Sequence, residues 1–389
     1  MTDSVVRTDS GAVRGLSGVW KGIPFAAPPR GDLRFAAPAR PEPWDGVRDA
    51  LEFGPAVPQP SPAPGVPTWF DPDRGDDWLT LNVWSPDHGR DPRLPVMVWL
   101  HGGGWKIGWP GMPQYDGAML AGHGVVVVTV AYRLGHEGFG DVPGAPPNRG
   151  LRDQLAALEW VHRNIAKFGG DPDKVTVFGQ SAGAASAALL GAYPGTKGLI
   201  RRVIAQSIPD GYATGPTPEP MPRIDGDLVP APPWELSLHA DLMAGFNHQE
   251  WRTMGPPPPG DHPELAHFKT LYPKNPEIEL MSELLFRRPT TRIIEQNGGH
   301  LYDFAWRDGG HGVELPFVFG NHGNRFADRY LGNPPPPEFA PLSRAMRTAW
   351  TDFARTGDPG WPRYDKRSAG PVRRWDTEPA DVRHPYLSA

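Results

Sequence analysis

A serine framed by small residues, Gly179-Gln180-Ser181-Ala182-Gly183, stands in the 389-residue chain between a run of β-formers and a run of alanines and leucines. A serine hydroxyl is a weak nucleophile until a base takes its proton. The base must titrate near neutrality, which points to histidine. The histidine in turn needs an acceptor behind it to fix its tautomer and stabilise the imidazolium. Acyl transfer also needs backbone N–H groups aimed at the developing oxyanion. The sequence offers candidates for each part: the glycine-rich stretch His101-Gly102-Gly103-Gly104-Trp105, the late histidines His300 and His311, and the carboxylates Asp225, Asp227, Glu250, Asp303 and Asp308.

The surrounding pattern says where these residues fall. "LPVMVWL" (94–100), "GVVVVTVAY" (124–132), "KVTVF" (174–178) and "LIRRVIA" (199–205) are near-continuous apolar runs, as expected of strands buried on both faces of a parallel sheet. Leu151, Leu155, Leu158, Val161, Ile165 and Phe168 step by three and four, which predicts an amphipathic helix, with Gly169 and Gly170 as its stop signal. Strand, crossover helix and strand imply an α/β fold with a mostly parallel sheet flanked by helices. In such sheets ligands bind beyond the carboxyl ends of the strands. The glycine-rich loop follows 94–100, and the serine turn follows 174–178. Glu250 follows "ADLMAGFN" (240–247), and His311 follows "LYDFAW" (301–306). His300 opens its strand and so falls at the opposite edge. A G-x-S-x-G turn between strand and helix, with an upstream HGGG loop and the chain order serine, acid, histidine, is the α/β-hydrolase signature. On position alone the acid stays open between Glu250 and the aspartates.

Composition narrows the class. Hydrophobic residues make up 39% of the chain, enough for a sizeable core, and the net charge of −5 argues against a nucleic-acid partner. There is no cysteine, which excludes disulfides and thiolate metal sites. No run reaches the roughly eighteen apolar residues of a membrane span. The N-terminal stretch shows no apolar signal core, so a cytoplasmic protein is expected. Proline is abundant, with four in a row at 256–259 and again at 334–337; these runs read as surface loops, with a PxxP ligand as the alternative.

With these residues in view, the chain resembles the type B carboxylesterase family, which includes the para-nitrobenzyl esterases and the cholinesterases. The likeness runs through "GIPFAAPPRGDLRF", "DDWLTLNVWSP", "PVMVWLHGGGW", "NRGLRDQLAALEWVHRNIAKFGGDPDKVTVFGQSAG", "HGVELPFVFG" and "WTDFARTGDP". It implies an α/β-hydrolase fold and hydrolysis of carboxylic esters through an acyl-serine, with no cofactor or metal. The implied nucleophile is Ser181 and the base His311. The implied acid is Glu250, within a segment resembling Gly-Thr-Asn-x-Asp-Glu-Gly. The implied oxyanion donors are the N–H groups of Gly103, Gly104 and Ala182. Trp105 and Gln180 are expected to line the substrate pocket, and Ser207 to stand behind the triad.

The sequence also departs from the family. Its "EDCL" segment reads Asp76-Asp77-Trp78-Leu79 here, without the cysteine. The glycine after Ser207 is replaced by Ile208. The intervals from Ser181 to Glu250 and from Glu250 to His311 are shorter than the family's. The expectation is one domain over 1–389 with a reduced cap around 208–240 and 252–298, and a wider, wetter mouth that accepts bulky esters. The expected partner is a small-molecule ester, for a monomer or homodimer. Acyl transfer, or amide or carbamate hydrolysis at the same site, is the alternative, followed by a non-catalytic binding protein on the same fold.

Overall fold

A computed structural model describes residues 3–86, 93–211, 220–257 and 262–384. The expected cap segment at 208–240 and the proline run at 256–259 therefore lie partly outside the described residues. Within them, β1 (Asp3–Arg7), β2 (Ala12–Leu16), β3 (Val19–Pro24), β4 (Val47–Asp49) and β5 (Thr80–Trp84) build a mainly antiparallel flank. There follow β6 (Leu94–Leu100), β7 (Val126–Val130), β8 (Gly170–Gln180), β9 (Arg202–Gln206), β10 (Asp241–Asn247), β11 (His300–Phe304), β12 (Val372–Trp375) and β13 (Ala380–Val382).

The spatial order is β1-β2-β3-β5-β7-β6-β8-β9-β10-β11-β12-β13, with β4 paired to β2. From β7 across to β12 every neighbouring pair is parallel. The chain therefore leaves β6, β8, β10 and β11 at one common edge, and the four segments singled out by sequence meet there. The expected strands are all present, with ends moved by a few residues.

Helices cover both faces because both faces of these strands are apolar. On one side, Leu151, Leu158 and Val161 of the helix Arg149–Asn164 pack with the alanine-rich helix Ala182–Ala192 against Val98, Val128 and Val177. Each such side chain contributes about 1.5–3 kcal/mol by leaving water. On the other side, Met346, Trp350 and Phe353 of the helix Phe339–Thr356 pack against Trp99, Phe178 and Tyr302. The first of these helices stops as expected: residues 165–168 tighten to a 3-10 turn and Gly169 takes a left-handed φ of 85°.

Residues 276–297 fall within the second segment expected as cap. A helix Pro276–Ser282 runs into a π-turn Glu283–Arg287 and then a helix Arg288–Asn297. Arg287, fully buried, pins it by donating to Glu279 Oε2 at 2.7 Å, to Glu283 Oε2 at 3.1 Å and to the His248 carbonyl at 2.9 Å. Such π-turns are rare and favour functional sites; here the turn brings Phe286 to within 4.5 Å of the His311 ring, centroid to centroid.

Candidate active site

Ser181 occupies the turn between β8 and the helix Ala182–Ala192, with φ 56° and ψ −125°. This is a strained conformation for a residue with a side chain. The small neighbours are obligatory. A Cβ on Gly183 would overlap the Leu100 carbonyl oxygen and lie 2.8 Å from that of His101, while one on Gly179 would run into the Gly183 backbone. The Ser181 N–H donates to the Gln206 carbonyl at 2.8 Å, which ties the turn to β9.

The loop after β6 passes directly over the serine, since a Cβ on Gly102 would stand 3.2 Å from that of Ser181. Gly103 has a φ of 113°, with no room for a side chain beside the Ile107 carbonyl. Gly104 has a φ of 61° and faces open space. Ala182 opens its helix, so its N–H has no intrahelical acceptor. His101 is a structural member of this loop. Its ring stacks on Tyr132 at 4.4 Å, its Nδ1 lies 2.9 Å from the Gly102 carbonyl oxygen, and burial lowers its pKa to about 4.

His311 and Glu250 are in direct contact, with Nδ1 at 2.7 Å from Glu250 Oε2. A carboxylate only accepts, so Nδ1 carries the hydrogen and Nε2 is the free base. Glu250 is fully buried and its other oxygen accepts the Asn247 N–H at 2.8 Å. The His311 N–H donates to the Glu250 carbonyl at 3.0 Å, so backbone and side chain hold the pair together. The competing acids are engaged elsewhere: Asp225 accepts from Asn148, Asp308 from Arg252, and Asp303 stands against His248 at 2.9 Å. His300 lies at the opposite strand end, with Nδ1 at 2.8 Å from the Trp361 carbonyl.

Three expected residues hold particular positions. The Gln180 amide nitrogen lies 3.0 Å from His311 Nε2, and among the described residues no hydrogen bond joins Ser181 Oγ to His311. Trp105, expected to wall the pocket, is 4% exposed; its ring stands beside Phe139 and its N–H donates to Ser186 Oγ at 3.1 Å. This contact ties the end of the glycine loop to the helix Ala182–Ala192. Ser207 donates its N–H to the Gly245 carbonyl at 2.7 Å, and its buried Oγ has no hydrogen-bond partner among the described residues.

Sequence reading did not single out Asn247, Gln206, Phe286 or Glu314, although all four surround the pair. Glu314 alone had a positional signal, three residues after His311. Among the described residues no cluster of three or more His, Cys, Asp or Glu side chains is arranged to hold a metal ion, and no helix is long and apolar enough to cross a membrane.

Comparison with known proteins agrees with this architecture. Residues 2–219 match the carboxylesterase family. The chain is 33% identical to a para-nitrobenzyl esterase of Bacillus subtilis over 95% of its length and 94% of that protein. It is 30% identical to a phenmedipham hydrolase of Pseudarthrobacter oxydans over 92% of its length and 90% of that protein. A solved PNB esterase structure superposes with a TM-score of 0.85 at 31% identity, covering 99% of this chain and 98% of that one. The alignment to the Bacillus protein runs over 467 positions, against 389 residues here, so the relative carries segments that this chain lacks. The sheet, the site at its edge and these relatives agree: the chain belongs to the carboxylesterase family, as a carboxylic ester hydrolase of α/β-hydrolase fold.

Proposed function

We propose that the protein hydrolyses carboxylic esters through an acyl-enzyme on Ser181, with His311 as general base and Glu250 as its acid partner. The observation that carries this reading is the 2.7 Å contact between His311 Nδ1 and Glu250 Oε2 at the strand edge that also bears Ser181. His311 Nε2 takes the Ser181 proton as Oγ attacks the carbonyl carbon. The oxyanion accepts hydrogen bonds from the N–H groups of Gly103, Gly104 and Ala182, a donor set in which each member is worth about 10²–10³ in kcat. The imidazolium then protonates the leaving alcohol as the C–O bond breaks. Water, deprotonated by the same nitrogen, releases the acid and restores Ser181. Glu250 stays ionised throughout and holds the ring in this tautomer.

Ser181 Oγ comes to His311 Nε2 when an ester binds, with the Gln180 amide standing over the ring face. Catalytic hydrogen bonds often tighten only in the substrate complex. The missing segments relative to the Bacillus esterase support a reduced cap and an open mouth, hence bulky or rigid esters as the substrate class.

The test is hydrolysis of p-nitrophenyl acetate and butyrate by wild type and Ser181→Ala, with intact-mass detection of the acyl adduct. Turnover and adduct confined to wild type are expected. Equal turnover in the variant would overturn the reading. A sharp preference for one acyl length along a p-nitrophenyl series would count against the open mouth.

A further inference from the structure

A second carboxyl lies behind the His311–Glu250 pair, and the proposed chemistry does not use it. Glu314 is fully buried. Its Oε2 accepts from Asn247 Nδ2 at 2.6 Å, and its Oε1 accepts from Gln206 Nε2 at 3.2 Å. Both amides also serve the site. Asn247 gives its backbone N–H to Glu250 Oε1 at 2.8 Å and its side-chain amide also reaches the Gly310 carbonyl, directly before His311, at 2.6 Å. Gln206 accepts the Ser181 N–H on its carbonyl. Its Oε1 accepts the Trp350 indole N–H at 3.1 Å, which fixes the amide with its hydrogens toward Glu314.

We propose that Glu314 is a positioning residue for the triad: through Asn247 it fixes which Glu250 oxygen faces His311, and its charge state sets how readily His311 holds a proton. This rests on the reading of Ser181, His311 and Glu250 as a triad.

Two carboxyls sharing a dry pocket cannot both ionise freely. Burial, and then the Glu250 charge, push Glu314 up to about 7, against the pull of Asn247 and His311. The other titratable groups facing it are the phenols of Tyr115, Tyr302 and Tyr330, all raised further out of the neutral range. Glu314 is therefore, among the carboxyls and phenols of this pocket that are shifted from their ordinary values, the one poised to change charge near neutral pH. When ionised it places a second negative charge behind His311 and favours the imidazolium. Glu314→Gln removes that charge, so His311 should hold its proton less tightly.

The experiment is the pH profile of kcat/KM for p-nitrophenyl butyrate, wild type against Glu314→Gln, with stoichiometric labelling of Ser181 by a fluorophosphonate as a separate readout. For Glu314→Gln the acid limb should move down by about half a pH unit or more, and kcat at pH 7 should fall about three- to tenfold with KM little changed. Labelled wild type with a superimposable variant profile and unchanged kcat would overturn the role of Glu314 while leaving the triad standing. Wild type that hydrolyses ester yet is not labelled at Ser181 would overturn the triad, and this proposal with it. If Glu314→Gln does not fold, Glu314→Asp serves instead. Its shorter carboxyl keeps the charge and loses the Asn247 contact, so kcat should fall while the acid limb stays. An unchanged kcat in that variant overturns the proposal.

Discussion

The Gln180 carboxamide nitrogen lies 3.0 Å from His311 Nε2 and 3.5 Å from Nδ1, over the face of the ring whose Nδ1 meets Glu250 at 2.7 Å. The amide brings no net charge to the ring. Replacing it by a carboxylate does, because an anion about 3 Å away stabilises the imidazolium. Gln180→Glu should therefore move the acid limb of kcat/KM up by about one pH unit and lower the rate at pH 7 about three- to tenfold. A pH–rate profile from 5 to 9 reads this directly; a limb that stays in place would remove Gln180 from the control of His311.

The glycines of the site are not equivalent. A Cβ at Gly183 would collide with the backbone carbonyls of Leu100, the last residue of β6, and of the buried His101 just past it, which cannot yield, whereas a Cβ at Gly104 meets nothing within 4 Å and bears only the strain of its φ of 61°. Gly104→Ala should lower stability by about 1–2 kcal/mol. Gly183→Ala should lower it by more than 3 kcal/mol, or abolish folding, as expected of overpacking against rigid backbone. Urea denaturation of both variants separates the cases, and equal losses would mean that the turn after β8 can relax.

Much of this was legible before any coordinates. The serine turn, the glycine loop and His311 are local signals: each sits just past an apolar run, and the parallel sheet brings such positions to one edge. The acid was legible only in part, because Glu250 competes with four aspartates, of which Asp303 and Asp308 also lie in or after a strand, and tertiary contact is what separates them. The Asn247–Glu314–Gln206 network had no sequence signal as a network. Its members lie on β9, on β10 and after β11, and they meet only because the register sets Gly245 beside Gln206 and Tyr302. The expectation that Trp105 lines the pocket came from its place after the glycine loop; that its N–H reaches Ser186 on the following helix had no signal in the sequence.

The Trp105–Ser186 contact is testable. The Trp105 residue is buried and its N–H donates to Ser186 Oγ. Ser186→Ala removes that acceptor, which should cost about 1–3 kcal/mol. The same change frees the glycine loop from its support, so kcat should fall more than KM rises. Denaturant midpoints and steady-state kinetics on one preparation check both. Unchanged stability would mean that the indole finds another acceptor.

A last prediction concerns acid stability. His384 packs against the helix Arg288–Asn297 with Nε2 at 2.9 Å from Thr291 Oγ1, and burial, aided by the Arg287 charge, lowers its pKa from 6.5 to about 4. The folded state then binds fewer protons at this site than the unfolded state between pH 6.5 and 4. Its contribution is complete above pH 6.5 and is lost as pH falls through that window, to a total of about 3 kcal/mol. His384→Gln removes the titration and leaves a side chain that can still meet Thr291. The stability gap between wild type and this variant should therefore shift by about 3 kcal/mol in favour of the variant from pH 7 to pH 4. Because His384 touches none of the proposed catalytic groups, esterase activity at pH 7 should be unaffected. Urea denaturation at intervals of half a pH unit measures the gap, and parallel curves for the two proteins would show that His384 titrates as an ordinary histidine.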